Sequence, residues 1–305
     1  MTKVLVAASS GCRVFSETGE LETELPGRHF SAMSSEVQGT CLAVVDEHEI
    51  WRRGLDGAWT YVATAEFSLQ SIVSIDGMIF GGAMDEAAML RVAVNGEAER
   101  LKGFDICPGR GEWVAGGPPL GVRSLAATRD GAAIIAAVHV GGLPYSVDKG
   151  NTWKPTVPIM FDVHEIRAHP ALPNIVAAAA AVGLCASHDG GHTWEVISEG
   201  LELKYSLAVA VLHDEVLFGI ADGPFAKQSQ IWRWRIGSER VEQIRDGLPE
   251  WLDGKVDTAQ IAASSERAAF VDGGGELWLS ETGSKAWKCI ATDIPYPFGV
   301  LLLPD

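Results

Sequence analysis

The chain has 305 residues, 47% of them hydrophobic, and a formal net charge of −16, an acidic balance that argues against nucleic acid or an anionic membrane surface as partner. Even the apolar run 175–182 is only eight residues long and rich in alanine, far short of the roughly 18 that a membrane span needs. The five cysteines, Cys12, Cys41, Cys107, Cys185 and Cys289, are scattered without CxxC spacing, so free, mostly buried thiols of a reducing compartment are expected rather than disulfides or a metal centre.

In chain order, residues 1–10 place Lys3 before an apolar run too short for a signal-peptide core, so this stretch reads as a strand and the protein is expected in the cytoplasm. The first 25 residues offer only three strands, 4–8, 12–16 and 21–25. A hairpin signal follows at Ile50-Trp51-Arg52-Arg53 and Trp59-Thr60-Tyr61-Val62, and a weaker one joins residues 89–92 to Arg100-Leu101. Residues 101–121 carry Cys107-Pro108-Gly109-Arg110-Gly111 and Gly116-Gly117-Pro118-Pro119 and read as an inserted loop, the kind of segment that often serves function on a rigid scaffold.

Ser146-Val147-Asp148-Lys149-Gly150-Asn151-Thr152-Trp153 and Ser187-His188-Asp189-Gly190-Gly191-His192-Thr193-Trp194 then spell the same Ser-x-Asp-x-Gly-x-Thr-Trp, 41 residues apart. Such a box makes a tight hairpin turn. The Asp accepts local backbone N–H groups, Gly supplies a positive φ, Thr or Ser closes the loop, and Trp opens the next strand and buries its ring. Asp148 and Asp189 are therefore read as turn residues, and no catalytic residue is assigned. Further on, Ile231-Trp232-Arg233-Trp234 leads to Val241-Glu242-Gln243-Ile244. Leu277-Trp278-Leu279-Ser280-Glu281-Thr282-Gly283 with Trp287 keeps the box spacing but has Thr282 in place of Asp. The Ser-Glu-Thr-Gly of that copy also occurs at Ser16-Glu17-Thr18-Gly19.

From Ser16 to Ser280 the chain advances 264 residues, or 44 for each of six steps, the length of four short strands and their turns. The reading is an all-β, seven-bladed propeller of four-stranded antiparallel blades, a single domain over residues 1–305, expected to be a monomer. The first blade lacks an innermost strand, and residues 298–303 are available to supply it and close the ring.

The repeated spelling resembles the Asp-box, or BNR repeat, of sialidases, the sortilin ectodomain, the photosystem II stability factor and bacterial xyloglucanases. The blade holding Val163-His164-Glu165-Ile166-Arg167-Ala168-His169-Pro170, Leu172-Pro173-Asn174-Ile175 and Gly183-Leu184 is similar to the repeat of bacterial BNR-repeat proteins labelled glycosyl hydrolase by analogy, and fold analogy does not carry activity. What a sialidase resemblance implies is three arginines on a carboxylate, a Tyr–Glu nucleophile pair and an Arg-Ile-Pro motif. The chain has no Arg-Ile-Pro. Xyloglucanases set two such propellers against one cleft.

Aligning the seven innermost strands at residues 30–33, 69–72, 122–125, 163–166, 204–207, 258–261 and 298–301 puts Ser31, Gln70, Arg123, His164, Tyr205, Ala259 and Gly299 at the second position, and Glu165 and Gln260 at the third. A convergent polar set in a concavity is the default site hypothesis. Arg123, His164, Tyr205, Glu165, Gln70 and Gln260 are thus expected at the channel mouth, with the 101–121 loop overhanging. Such a mouth would bind a small polar or anionic ligand, or a protein. A carbohydrate hydrolase or lyase acting at the same mouth is the alternative. His188 and His192 lie in a hairpin turn, not on a helix face, so no metal is expected; His139 and His213 stand alone; no GxxxxGK[ST] or strand-to-helix GxGxxG occurs, so no cofactor is expected.

Overall fold

A computed structural model describes residues 2–36, 39–114 and 120–303. Among these residues twenty-nine strands, numbered β1 to β29 in chain order, form seven antiparallel sheets arranged as the blades of a propeller. Blade one combines β1 (Lys3–Ala8), β2 (Gly11–Ser16) and β3 (Gly19–Glu24) with the last strand, β29 (Gly299–Leu303), as its innermost member. β29 pairs with β1 from Lys3↔Leu303 to Ala7↔Gly299, so the edge that three N-terminal strands alone would leave open is filled. Each of the other blades is a contiguous four-strand meander. Blade six gains a short extra strand, Leu252–Asp253, paired with the start of Gln228–Arg235.

The core lies between blades rather than in the channel. Among the described residues seven apolar clusters each bridge two neighbours. Leu42, Val44 and Ile50 of blade two, for example, meet Leu69, Ile79 and Leu90 of blade three, while Val4 and Val300 of blade one meet Val271 and Leu277 of blade seven. The second strands, packed on both faces, are buried throughout, as at Cys41–Val45, Ile134–Val138 and Val176–Ala180. This is why they read as continuous apolar runs rather than as alternating ones. Four cysteines are buried and Cys289 is exposed; burial pushes the Cys41 and Cys185 thiols up to about 12. No helix of the described residues is long and apolar enough to cross a membrane.

The two repeated turns join third and fourth strands and have one geometry. Ser146 Oγ donates to Asp148 Oδ1 at 2.9 Å and accepts Gly150 N at 2.9 Å; Asp148 accepts Thr152 N at 2.8 Å and Thr152 Oγ1 at 2.6 Å; Trp153 Nε1 donates to Gly150 O at 2.9 Å. Ser187, Asp189, Gly191, Thr193 and Trp194 repeat every one of these bonds. Gly150 and Gly191 sit at φ 85° and 99°, and a Cβ on either would run into Leu101 or Ile135 of the underlying core. In the copy without Asp, Trp287 Nε1 still donates to Ser284 O at 2.9 Å, and Ser280 Oγ donates to Gly283 O at 2.6 Å.

Candidate functional site

The inner strands β4 (Phe30–Ser35), β8 (Leu69–Ile75), β12 (Val122–Ala127), β16 (Val163–Ala168), β20 (Tyr205–Val211) and β25 (Ile261–Ala263) join β29 around the axis. In four of them the register against the second strand slips by one residue at the strand's second position, and in β20 it slips further in. Phe30 pairs Val45 but Ala32 pairs Val44, and the same slip skips Gln70, Arg123 and His164. Each is a β-bulge, and a bulge leaves its extra residue unpaired and re-aims its side chain. Ser31, Gln70, Arg123 and His164 are those extra residues.

Blades four to seven bring polar groups together at the end where these strands begin. Arg123 donates to Thr258 Oγ1 at 3.0 Å and lies 3.7 Å from Asp257 Oδ1. Thr258 Oγ1 in turn lies 3.5 and 3.4 Å from the carbonyls of His164 and Leu207. His164, with no exposed surface, places Nδ1 2.6 Å from Ser206 O. A carbonyl only accepts, so Nδ1 carries a proton. Nε2 then faces the Tyr205 hydroxyl at 3.2 Å and Asp162 Oδ2 at 3.4 Å, as acceptor from the tyrosine when the ring is neutral and as donor to the carboxylate when it is charged.

Asp162, at the residue before β16, also lies 3.7 Å from His139 Nε2. The hydrogen bond with His164 holds its carboxyl below the usual range against the opposing effect of burial. Burial, with Arg123 nearby, lowers the His139 value. Asp257 is closed in by Lys255 Nζ at 3.0 Å and the Tyr296 hydroxyl at 3.0 Å. Its burial raises the carboxyl, but Lys255, the Thr258 amide and Arg123 outweigh that and leave it lowered. Burial raises the Tyr205 and Tyr296 hydroxyls. Among the described residues two buried polar atoms in this cluster, His139 Nδ1 and Asp162 Oδ1, have no hydrogen-bond partner.

Of the six expected residues, Arg123, His164 and Tyr205 meet here. Gln260 holds the backbone of Asp257 within the cluster, and Glu165 and Gln70 are engaged elsewhere. Glu165 is fully buried in the ring wall, where it accepts Val209 N at 2.9 Å and pairs with Arg167; its Oε1 faces Arg167 without a well-aligned hydrogen bond. Burial raises its carboxyl despite Arg167. Gln260 bridges Asp257 N and Pro297 O at 2.9 and 3.1 Å, and Gln70 donates to the carbonyls of Ala83 and Met84 at 3.2 and 3.4 Å. Sequence reasoning left out His139, Asp162 and Asp257, because all three precede strands or follow them, and Thr258, because it stands at the first aligned position rather than the second. Their one signal was position: Asp162 and Asp257 stand immediately before aligned strand starts. Within the 101–121 loop, Phe104 and Trp113 pack into the core, 5.6 Å between ring centroids, and Val114 N donates to Val140 O beside His139; residues 115–119 lie outside the described residues.

No family model matches the chain, and no curated protein matches it. Solved structures do. An ancestral GH74 enzyme superposes with a TM-score of 0.65 at 11% identity, over 99% of this chain and 40% of that one. The GH74 xyloglucanase from Xanthomonas campestris gives 0.64 at 16%, over 96% and 47%, and the GH74 enzyme of Niastella koreensis 0.63 at 13%, over 95% and 47%. At such identities the likeness is one of fold. The chain spans less than half the length of these enzymes.

Proposed function

We propose that this chain is a non-catalytic propeller that binds a small, hydroxyl-rich polar ligand at the mouth formed by Arg123, His139, Asp162, His164, Tyr205, Asp257 and Thr258. The observation that carries the reading is the pair of orphaned buried atoms, His139 Nδ1 and Asp162 Oδ1. A buried polar atom left unpaired costs about 1–3 kcal/mol, and a hydroxyl, which donates and accepts, satisfies both kinds of atom. Charge favours a neutral ligand over an anion: with the histidines neutral, Arg123 and Lys255 are balanced by Asp162 and Asp257. The test is calorimetric titration with neutral sugars and polyols against dicarboxylates. Arg123→Ala is expected to weaken ligand binding by roughly 1.5 to 3 kcal/mol with an unchanged melting temperature, since Asp257 keeps Lys255 and Tyr296. Absence of saturable binding by any of these, or a variant that binds as tightly as the parent, refutes it.

The second reading, a carbohydrate hydrolase or lyase at this mouth, is favoured by the GH74 neighbours and by the presence of two carboxylates there. Turnover of a chromogenic glycoside decides for it.

A further inference from the structure

At the opposite end of the channel, where the inner strands finish, lies a cavity of about 720 Å³. We propose that it is a second binding site, for a small anion bearing a carboxylate or a phosphate, independent of the mouth described above. Five blades wall it, since its lining runs from the ends of β4, β8, β12 and β16 to Leu301 of β29. Four charged residues line it: Glu36, Asp76, Arg129 and Arg167.

The two acids are already neutralised. Glu36 accepts from Arg52 at 2.7 and 3.0 Å, and Asp76 lies 3.4 Å from Lys149. Of the two guanidinium groups, Arg167 is shared, reaching back to the buried Glu165 and donating to Ser124 Oγ at 3.3 Å. Arg129 has no hydrogen bond or ion pair among the described residues. The cavity of an otherwise acidic chain, net −16, thus keeps one uncompensated cation and one shared one, beside the hydroxyls of Ser35 and Ser74. A planar fork of donors beside a concavity is suited to a carboxylate or phosphate in geometry as well as in charge. Glu165 has a place in this arrangement as a competitor: an anion that engages Arg167 draws it away from the one carboxylate it now pairs with.

Calorimetric titration of the full chain with inorganic phosphate and gluconate at constant ionic strength tests the site. Phosphate, gluconate or both are expected to bind saturably; which of the two anions binds names the headgroup. Arg129→Gln is expected to weaken anion binding about tenfold. Arg240→Gln, removing an arginine whose side chain is 79% exposed outside the cavity, is expected to leave it unchanged. Glu165→Gln keeps an acceptor for Val209 N and releases Arg167, so it is expected to tighten binding several-fold. No saturable anion binding, equal weakening by Arg129→Gln and Arg240→Gln, or weaker binding in Glu165→Gln overturns the proposal. None of these outcomes bears on the first mouth, whose test rests on Arg123.

Discussion

Replacing Asp189 by Ala separates a structural carboxylate from a catalytic one. The Asp189 carboxylate accepts Ser187 Oγ at 2.8 Å, His192 N at 3.0 Å, Thr193 N at 2.9 Å and Thr193 Oγ1 at 2.6 Å. Burial works against its charge, but these four donors prevail and hold the carboxyl at about 2. Relative to an ordinary Asp this corresponds to about 2.5 kcal/mol. The residue is exposed, so water replaces part of what the variant loses, and about 1 kcal/mol is the expected cost. Its folded value is depressed, so the contribution is fully present above pH ~4 and is lost as pH falls from ~4 toward ~2. Urea unfolding followed by tryptophan fluorescence is expected to show a lower midpoint with an unchanged slope at pH 7, and a narrowing gap below pH 4. A variant of full stability that has lost a measurable turnover refutes the turn reading.

Deleting residues 299–305 removes five ladder pairs and the burial of Val300, Leu302 and Leu303. At about 1.5–3 kcal/mol for each aliphatic side chain, the loss is comparable to the whole stability of a domain; aggregation or loss of the cooperative melt is expected, and a soluble chain with the parent's melting temperature contradicts the closure. His139 has a lowered value in the fold, owing first to burial. The unfolded chain therefore takes up its proton first as pH falls below ~6.5 and stability drops there. His139→Gln is expected to flatten the melting temperature between pH 7 and 5, and an unchanged slope counts against it.

The fold was legible because a hairpin of this kind needs particular residues. Only Gly fits at 150 and 191, only a short acceptor closes the turn at 148 and 189, and the indole bonds back to the turn carbonyl at 153 and 194. Repetition at a fixed period then gave the blade length, and the shortage of strands before residue 25 gave the closure. The site was half legible. Alignment of strand starts found Arg123, His164 and Tyr205. It placed Glu165 beside them because period-2 alternation does not register a bulge: one extra residue at 164 turns Glu165 into the wall, against Val209 N and Arg167. His139 follows its strand by one residue and its Nε2 faces Asp162 of the next blade, a relation that no single-blade pattern contains.

Of the ten non-glycine residues at positive φ among the described residues, three lie at this mouth. Val140, Asp162 and Ala259 adopt φ of 46°, 47° and 64°, each beside or within the cluster of His139, Asp162, His164 and Thr258. Asp tolerates the left-handed region, but a β-branched Val does not do so without strain. Sparsely populated conformations cost about 1–3 kcal/mol each and persist where the surroundings over-determine them. Glycine occupies left-handed positions in many turns of this chain, as at Gly77, Gly131 and Gly275, so a ring that only had to close had a relaxed solution available. At the mouth the backbone instead fixes the directions of His139 and Asp162, whose buried Nδ1 and Oδ1 have no hydrogen-bond partner among the described residues, and a rigid pair of unsatisfied atoms is what the proposed hydroxyl ligand would find already in place.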